Sequence, residues 1–98
     1  MFVKICGITN EDDALLAVAL GADAVGFVIA PSVRQIAVQK IYDITRRLPS
    51  EILTVGVFRD ELPQRVIELT QSAGLKAAQL HGHETPEDVQ VVSQHIRT

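Results

Sequence analysis

The stretch GADAVGFVI, residues 21–29, decides the class of fold. Its last six residues form a continuous run of small and apolar side chains, which is typical of a strand buried on both faces of a parallel sheet. Gly21 lies where a residue in the left-handed conformation can end a preceding helix, and Gly74 has the same place before a later strand. The stretch therefore predicts a helix, a turn at glycine and then a buried parallel strand.

Three further apolar runs extend this pattern along the chain. Strands are predicted at residues 2–6, 24–29, 53–58 and 76–80. A helix is predicted after each strand: from Thr9 to about Leu20, at about 38–48, after Asp60, and from Thr85 to the C-terminus. Strands that alternate with helices through short connections predict a parallel sheet with right-handed crossovers.

Polar residues mark where three of these helices begin. Thr9 with Asp12, and Thr85 with Asp88, have the spacing of a capping box, in which each side chain accepts a hydrogen bond from a free backbone N–H group. Asp60 is placed to cap the third helix through its carboxylate. We therefore expect side-chain caps at the start of the first, third and fourth helices.

Two architectures are built from such βα units. An open, doubly wound sheet carries helices on both faces and suits a chain of 98 residues. A closed (β/α)8 barrel carries helices on its outside only and needs about 250 residues. The alternation of strands and helices is compatible with both architectures.

The composition is that of one globular domain with an aliphatic core. Hydrophobic residues make up 47% of the chain, but aromatic residues only 4%. The net charge is −3 and no block of basic residues is present, which excludes a nucleic-acid partner. The longest apolar stretch, residues 22–31, contains Asp23 and is much shorter than the roughly 20 residues of a membrane span. We therefore predict no membrane partner either.

Two features of the sequence indicate the cytoplasm. The N-terminus lacks the basic region, apolar segment and cleavage site of a signal peptide. The single cysteine, Cys6, cannot form an internal disulfide, so nothing in the sequence requires an oxidising compartment.

Cys6 lies at the carboxyl end of the first predicted strand. This is the end at which the active sites of parallel α/β folds assemble. Position alone is a weak signal, because cysteine is among the most buried residue types and is usually a small apolar side chain in a core. From its position alone, Cys6 is either a catalytic residue or a small buried residue of the core.

A zinc site is an alternative interpretation of the residues at the carboxyl ends of the strands. His81, His83 and Glu84 follow the fourth predicted strand, and imidazole and carboxylate both bind zinc. Neighbouring residues on one turn rarely converge on one ion, however, and no other Cys or His is placed to complete a tetrahedron. We therefore predict no metal and no cofactor.

Four segments stand out along the chain: KICGIT with EDDA (4–9 and 11–14), GADAVGFV (21–28), VGVF (55–58) and QLHGHE (79–84). Together and in this order, they resemble phosphoribosylanthranilate isomerase, a tryptophan-biosynthesis enzyme of the TIM-barrel class. The resemblance implies an α/β fold that is the N-terminal (βα)4 half of a (β/α)8 barrel, with parallel strands and helices on one face. Residues 1–98 are then a single domain that ends before the fifth strand.

The resemblance also implies an activity and its residues. The family carries out the Amadori rearrangement of N-(5-phosphoribosyl)anthranilate, an intramolecular aldose–ketose isomerisation. Cys6 matches the family's general base, which removes the proton from C2 of the sugar. Arg34 matches the arginine that pairs with the anthranilate carboxylate, although this chain reads Pro-Ser-Val-Arg at 31–34 where the family reads Ser-Pro-Arg. His81 matches a position that contacts substrate.

Part of the family's site is not matched by any residue of this chain. The general acid is an aspartate at the end of the fifth strand, and the phosphate site lies in the loops of strands seven and eight. Two hypotheses follow. The chain is an isomerase half whose site needs a complementary C-terminal half-barrel, or it is a non-catalytic half-barrel that self-associates. The expected ligand is the small-molecule substrate of the family. The expected protein partner is a second copy of this chain or a complementary half, because the two outer strands expose unpaired edges.

Overall fold

Four strands alternate with four helices in the computed structural model, which describes residues 1–29, 35–80, 85–94 and 96. The strands are β1 (Lys4–Ile5), β2 (Ala24–Ile29), β3 (Leu53–Phe58) and β4 (Ala77–Leu80). The helices are α1 (Glu11–Ala19), α2 (Gln35–Thr45), α3 (Pro63–Ser72) and α4 (Pro86–Ser93). The predicted βα order is confirmed. Within the described ranges, no helix combines the length and the apolar character that crossing a membrane requires.

The strands form one sheet in the order β1-β2-β3-β4, and every neighbouring pair is parallel. β2 and β3 pair along their full length, from Ala24 opposite Leu53 to Ile29 opposite Phe58. A doubly wound sheet reverses its strand order at a switch point, whereas the wall of a barrel follows the order of the chain. The sequential order therefore favours the half-barrel.

All four helices cover the same face of the sheet. One continuous core joins the strand residues Val25, Phe27 and Phe58 to residues of every helix, among them Ala14 of α1, Ile44 of α2, Val66 of α3 and Val92 of α4. A second, smaller cluster on the opposite face consists of Ala24, Val55 and Ala77 with Leu53, and it contains no helix residue. We call this second face the inner face. The prediction of helices on one face is confirmed.

The inner face is apolar but partly open. Ala24 is fully buried, whereas Val28, four residues further along β2, is 66% exposed. The sequence predicts that β2 is buried on both faces, and at Val28 this prediction is wrong. The reason is that no element of the described chain packs over this end of the inner face.

A polar pair shows that the sheet curves around the inner face. Lys4 on β1 donates a hydrogen bond from Nζ to Oε1 of Gln79 on β4. In a flat sheet these outer strands would lie three spacings of about 4.8 Å apart, with their side chains roughly perpendicular to the sheet. The two side chains meet because the sheet bends towards them, as the wall of a barrel does.

Of the N-caps predicted for α1 and α4, one is confirmed and one is wrong. The capping box of α4 is confirmed: Asp88 N donates to Thr85 Oγ1 at 3.1 Å, and Thr85 N donates to Asp88 Oδ2 at 3.4 Å. The predicted cap of α1 by Thr9 is wrong. Asn10 is the cap, because its Oδ1 accepts the N–H of Asp13 at 2.8 Å while its Nδ2 donates to the Asp13 carboxylate.

The start of α3 also corrects the sequence prediction. Asp60 does not cap this helix; the N-cap residue is Leu62, which has no side-chain cap, and Pro63 takes the first helical position. Asp60 has a positive φ of 53°, so it turns the chain between β3 and the helix. Next to it, Oε1 of Glu61 accepts the N–H of Leu62 at 3.0 Å.

Helix ends at glycine are confirmed, with φ of 95° at Gly21 and 68° at Gly74. The second helix, predicted at about 38–48, both begins and ends earlier, as α2 shows. Its end is held by Thr45, whose Oγ1 donates to the carbonyl oxygens of Tyr42 at 3.1 Å and Ala73 at 3.0 Å. This hydrogen bond to Ala73 ties the end of α2 to the end of α3.

Candidate functional site

The carboxyl ends of the four parallel strands lie along one rim of the sheet. Cys6 follows β1 at this rim, and its side chain is exposed. Gly7 comes next with a φ of 82°, a conformation that a residue with a side chain rarely adopts. The backbone therefore turns directly after the cysteine, which leaves the thiol at the strand end, where it is open to solvent.

The thiol lies against a glycine of the neighbouring strand. A Cβ atom built on Gly26 of β2 would lie 3.0 Å from Sγ of Cys6. Gly26 also accepts a backbone hydrogen bond, from Ile8 N to its carbonyl oxygen at 3.1 Å. Backbone pairing with β2 thus flanks Cys6 on both sides, at Ile5 before it and at Ile8 after it.

Cys6 is on the same face of the sheet as Lys4, because residues two apart in a strand point the same way. Lys4 and its partner Gln79 are the polar residues of the inner face that the sequence analysis did not identify. The two-residue spacing of Lys4 and Cys6 predicts that both side chains lie on one face of the sheet. The pairing with Gln79 had no signal, since 75 positions separate the two residues.

A groove runs along the inner face below this rim. Its volume is about 680 Å³. The residues that line it include Phe2, Lys4, Leu53, Ala77 and Gln79. Apolar walls with a few polar groups are typical of sites for small organic ligands, and also of the interior layers of a barrel.

Two of the predicted site residues, Arg34 and His81, lie outside the described residues, as do His83 and Glu84 of the zinc alternative. The described strands that precede them are β2 and β4. These strands end at Ile29 and Leu80, at the same rim as Cys6. Over the part of the chain that the structure describes, no three or more His, Cys, Asp or Glu residues are grouped as they would be around a metal ion.

The chemistry that these residues can perform begins with the thiol. A thiolate is a nucleophile and a proton acceptor, and an exposed position at a rim gives a small molecule access to it. Cys6 is the only cysteine of the sequence, so no resolving partner for redox chemistry exists within this chain. The exposed thiol of Cys6 is therefore available both as a nucleophile and as a proton acceptor.

Comparisons with known proteins agree on one family. The sequence model of N-(5′-phosphoribosyl)anthranilate (PRA) isomerase matches residues 3–98. An N-(5′-phosphoribosyl)anthranilate isomerase from Desulforudis audaxviator is 56% identical over 85 residues, which are 87% of this chain and 42% of that protein.

Solved structures give the same result. The phosphoribosyl anthranilate isomerase of Thermus thermophilus has a TM-score of 0.89 and 46% identity, over 98% of this chain and 48% of that one. A second phosphoribosyl anthranilate isomerase, in complex with reduced 1-(o-carboxyphenylamino)-1-deoxyribulose 5-phosphate, has a TM-score of 0.90 and 42% identity, over 98% of this chain and 50% of that one. The chain thus spans about half the length of the relatives that it matches.

Proposed function

Since the chain belongs to the phosphoribosylanthranilate isomerase family, we propose that it supplies one half of the active site for the Amadori rearrangement of N-(5-phosphoribosyl)anthranilate. The observation that carries this proposal is the exposed thiol of Cys6 at the carboxyl rim of a half-barrel. This position supports the proposal, because the active sites of (β/α)8 barrels lie at the carboxyl ends of their strands.

The ligand is a phosphosugar joined to anthranilate. A relative with 42% identity binds reduced 1-(o-carboxyphenylamino)-1-deoxyribulose 5-phosphate, a compound that contains both parts. In the reaction, an acid protonates the ring oxygen of the ribose and the ring opens. The thiolate of Cys6 then takes the proton from C2 of the protonated Schiff base, which leaves a neutral enolamine. This enolamine gains a proton at C1 and its 2-hydroxyl group loses one, which gives the ketose. Atoms and charge balance within this isomerisation, so no redox cofactor is consumed.

Arg34 and His81 complete this half of the site in our proposal. A guanidinium binds a carboxylate through two parallel hydrogen bonds, which fixes both the position and the orientation of the anthranilate ring. His81 follows β4 in the sequence, and we assign it a contact with substrate. The proposed division of labour is that Arg34 holds the aromatic end while Cys6 acts at the sugar.

The general acid and the phosphate site come from a complementary C-terminal half-barrel in this proposal, and residues 1–98 form one domain that docks against it. Exposed apolar residues support such an association. Leu16 and Leu20 of the α1 segment are 57% and 75% exposed beside β1, and Val28 is 66% exposed on the inner face. A complementary half would cover all three.

A second candidate function rests on the same exposed residues. A non-catalytic half-barrel that self-associates would also bury Leu16, Leu20 and Val28 and would pair its two outer strands. In either case, a free thiol is kept reduced in the cytoplasm, and we propose this compartment for the protein.

Mixing two halves tests the proposed function. The partner is the part of the Thermus thermophilus relative that this chain does not cover, and we call the mixture the two-half complex. We expect negligible turnover by the chain alone, because a general acid contributes about 10²- to 10⁴-fold and the phosphate contacts are missing as well. The two-half complex should turn over. The measurement is the loss of substrate fluorescence as N-(5-phosphoribosyl)anthranilate is rearranged to product.

Light scattering on the same samples separates the two candidate functions. The chain alone should form a dimer or a larger oligomer, which the partner half replaces with a heterodimer. Full turnover by the lone chain would contradict the proposed need for a second half. A self-associated chain that never binds the partner and never turns over would favour the non-catalytic alternative.

A further inference from the structure

Gly26 occupies a position in β2 where its own backbone conformation does not require a glycine. Its φ is not among the positive values of the described residues, which belong to Gly7, Gly21, Gly74 and Asp60. Glycine inside a strand weakens it and often marks a place where another group approaches closely. The reason for a glycine here therefore lies in what surrounds it.

The group that approaches is the thiol of Cys6. A Cβ atom on Gly26 would lie 3.0 Å from Sγ, but 3.4 Å from Cα and 3.5 Å from Cβ of the same cysteine. The last two distances are ordinary van der Waals contacts, so Sγ is the atom that a side chain would displace. Ordinary contacts between carbon atoms are about 3.5–4.0 Å, and sulfur is larger than carbon.

We propose that Gly26 is a positioning residue for Cys6: it lacks a side chain so that the thiol can lie against β2, and this sets where the proton-accepting sulfur stands at the rim. The proposal rests on the proposed function, in which Cys6 is the general base. The hydrogen bond from Ile8 N to the carbonyl oxygen of Gly26 holds the same segment from the other side. Gly26 thus acts on this turn in two ways. Its carbonyl oxygen holds Ile8, and its missing side chain leaves room for Sγ of Cys6.

The test is Gly26→Ala in the two-half complex. The added methyl group should push Sγ away from β2 by a few tenths of an ångström, towards solvent. A misplacement of about 1 Å can cost about 10²-fold in rate, so we expect kcat to fall by about 3- to 10-fold. KM should change little, because the methyl group does not touch the proposed carboxylate and phosphate contacts. The thiol should also react faster with iodoacetamide, a reaction that reports one site when the cysteines of the partner half are replaced by serine, because this chain has a single cysteine.

Gly56→Ala is the matched control. Gly56 lies within the neighbouring strand β3, but its missing side chain faces the helices, where a Cβ would lie 2.8 Å from Leu75 Cδ1 and 2.8 Å from Phe58 Cε2. This variant should lose at least as much stability as Gly26→Ala. It should nevertheless keep the wild-type kcat per folded complex and the wild-type rate of alkylation at Cys6.

A double-mutant cycle keeps the proposal testable if Gly26→Ala folds poorly. Without Sγ, the nearest atom to the new methyl group is the Cα of residue 6 at an ordinary distance. Gly26→Ala should therefore shift the urea midpoint less in a Cys6→Ala background than in the wild type. Equal shifts in the two backgrounds would show that the thiol is not the group that needs the space.

The outcomes for function and for positioning can be told apart. If Cys6→Ala retains turnover, the proposed function fails. If Cys6→Ala loses turnover while Gly26→Ala matches Gly56→Ala in kcat and in alkylation rate, the positioning role alone is overturned. A selective fall in kcat together with faster alkylation supports it.

Discussion

Replacing Cys6 by alanine in the two-half complex is expected to lower kcat by about 10²- to 10⁴-fold, the usual contribution of a general base. KM should stay close to its wild-type value, because the thiol takes part in proton transfer and the proposed binding contacts lie elsewhere. Steady-state kinetics with the fluorescent substrate measure both constants. Cys6→Ser should lose nearly as much, because a hydroxyl group is rarely ionised near neutral pH and is a far weaker base than a thiolate.

Ser50→Ala is a suitable control for this substitution. It also removes one heavy atom from an exposed side chain, but Ser50 lies before β3, at the end of the sheet opposite the rim. This variant should keep the wild-type kcat. A Cys6→Ala complex with the kcat of the Ser50→Ala complex would show that Cys6 is not the base.

Phe58→Ala is expected to give the largest loss of stability in the chain. The ring is fully buried at the end of β3, within the core that all four helices share. Truncating a buried phenylalanine costs about 3–5 kcal/mol, because both the transfer free energy and the packing around the ring are lost. Small domains have about 5–15 kcal/mol in total, so this variant should be largely unfolded in mild denaturant. Urea unfolding followed by circular dichroism measures the change.

Val28→Ala is the control for Phe58→Ala, because it removes apolar atoms from the other face of the sheet. Val28 is 66% exposed in the single chain, so in a sample diluted until the chain is monomeric its loss should change the free energy of unfolding by only about 0.5 kcal/mol. In the two-half complex the same substitution should cost more, since a partner would bury the side chain. Equal losses for Phe58→Ala and Val28→Ala in the lone chain would contradict the assignment of outer and inner faces.

The central part of the fold could be predicted from the sequence because two strands have unmistakable patterns. β2 and β3 are continuous apolar runs within a parallel sheet, and their predicted bounds match the structure. β1 was predicted too long. It is an edge strand. Phe2, 66% exposed, lies outside it, and Val3, 39% exposed, meets β2 only at its carbonyl oxygen, which accepts the N–H of Ala24 at 3.1 Å. Hydrophobicity predicts that a strand exists better than it predicts where pairing stops.

Helix caps show where local signals compete. Thr85 and Asp88 form the predicted box, and Pro86 at the first helical position fixes the start of α4 directly after Thr85. At α1, Thr9 and Asn10 are both good caps, and the structure uses the second. At α3, the proline at the first helical position fixes the start of the helix, and Asp60 lies too early to cap it. Sequence patterns cannot rank such neighbours without the path of the backbone.

The candidate site could be predicted only in part. The position of Cys6 at the end of β1 follows from the strand pattern, and the structure places it at the rim. The contact of its thiol with Gly26 and the pairing of Lys4 with Gln79 could not be predicted, because they depend on the register and curvature of the sheet. Residues far apart in sequence meet there without any local signal.

Turnover as a function of the modified fraction of Cys6 tests the central claim most directly. Methyl methanethiosulfonate adds only a small S–CH₃ group, and dithiothreitol removes it again. With the cysteines of the partner half replaced by serine, Cys6 is the only thiol in the two-half complex. We predict that turnover falls in proportion to the modified fraction, reaches the background at full modification and returns after reduction. A fully modified complex that turns over at the unmodified rate would show that the Cys6 thiolate does not accept the proton.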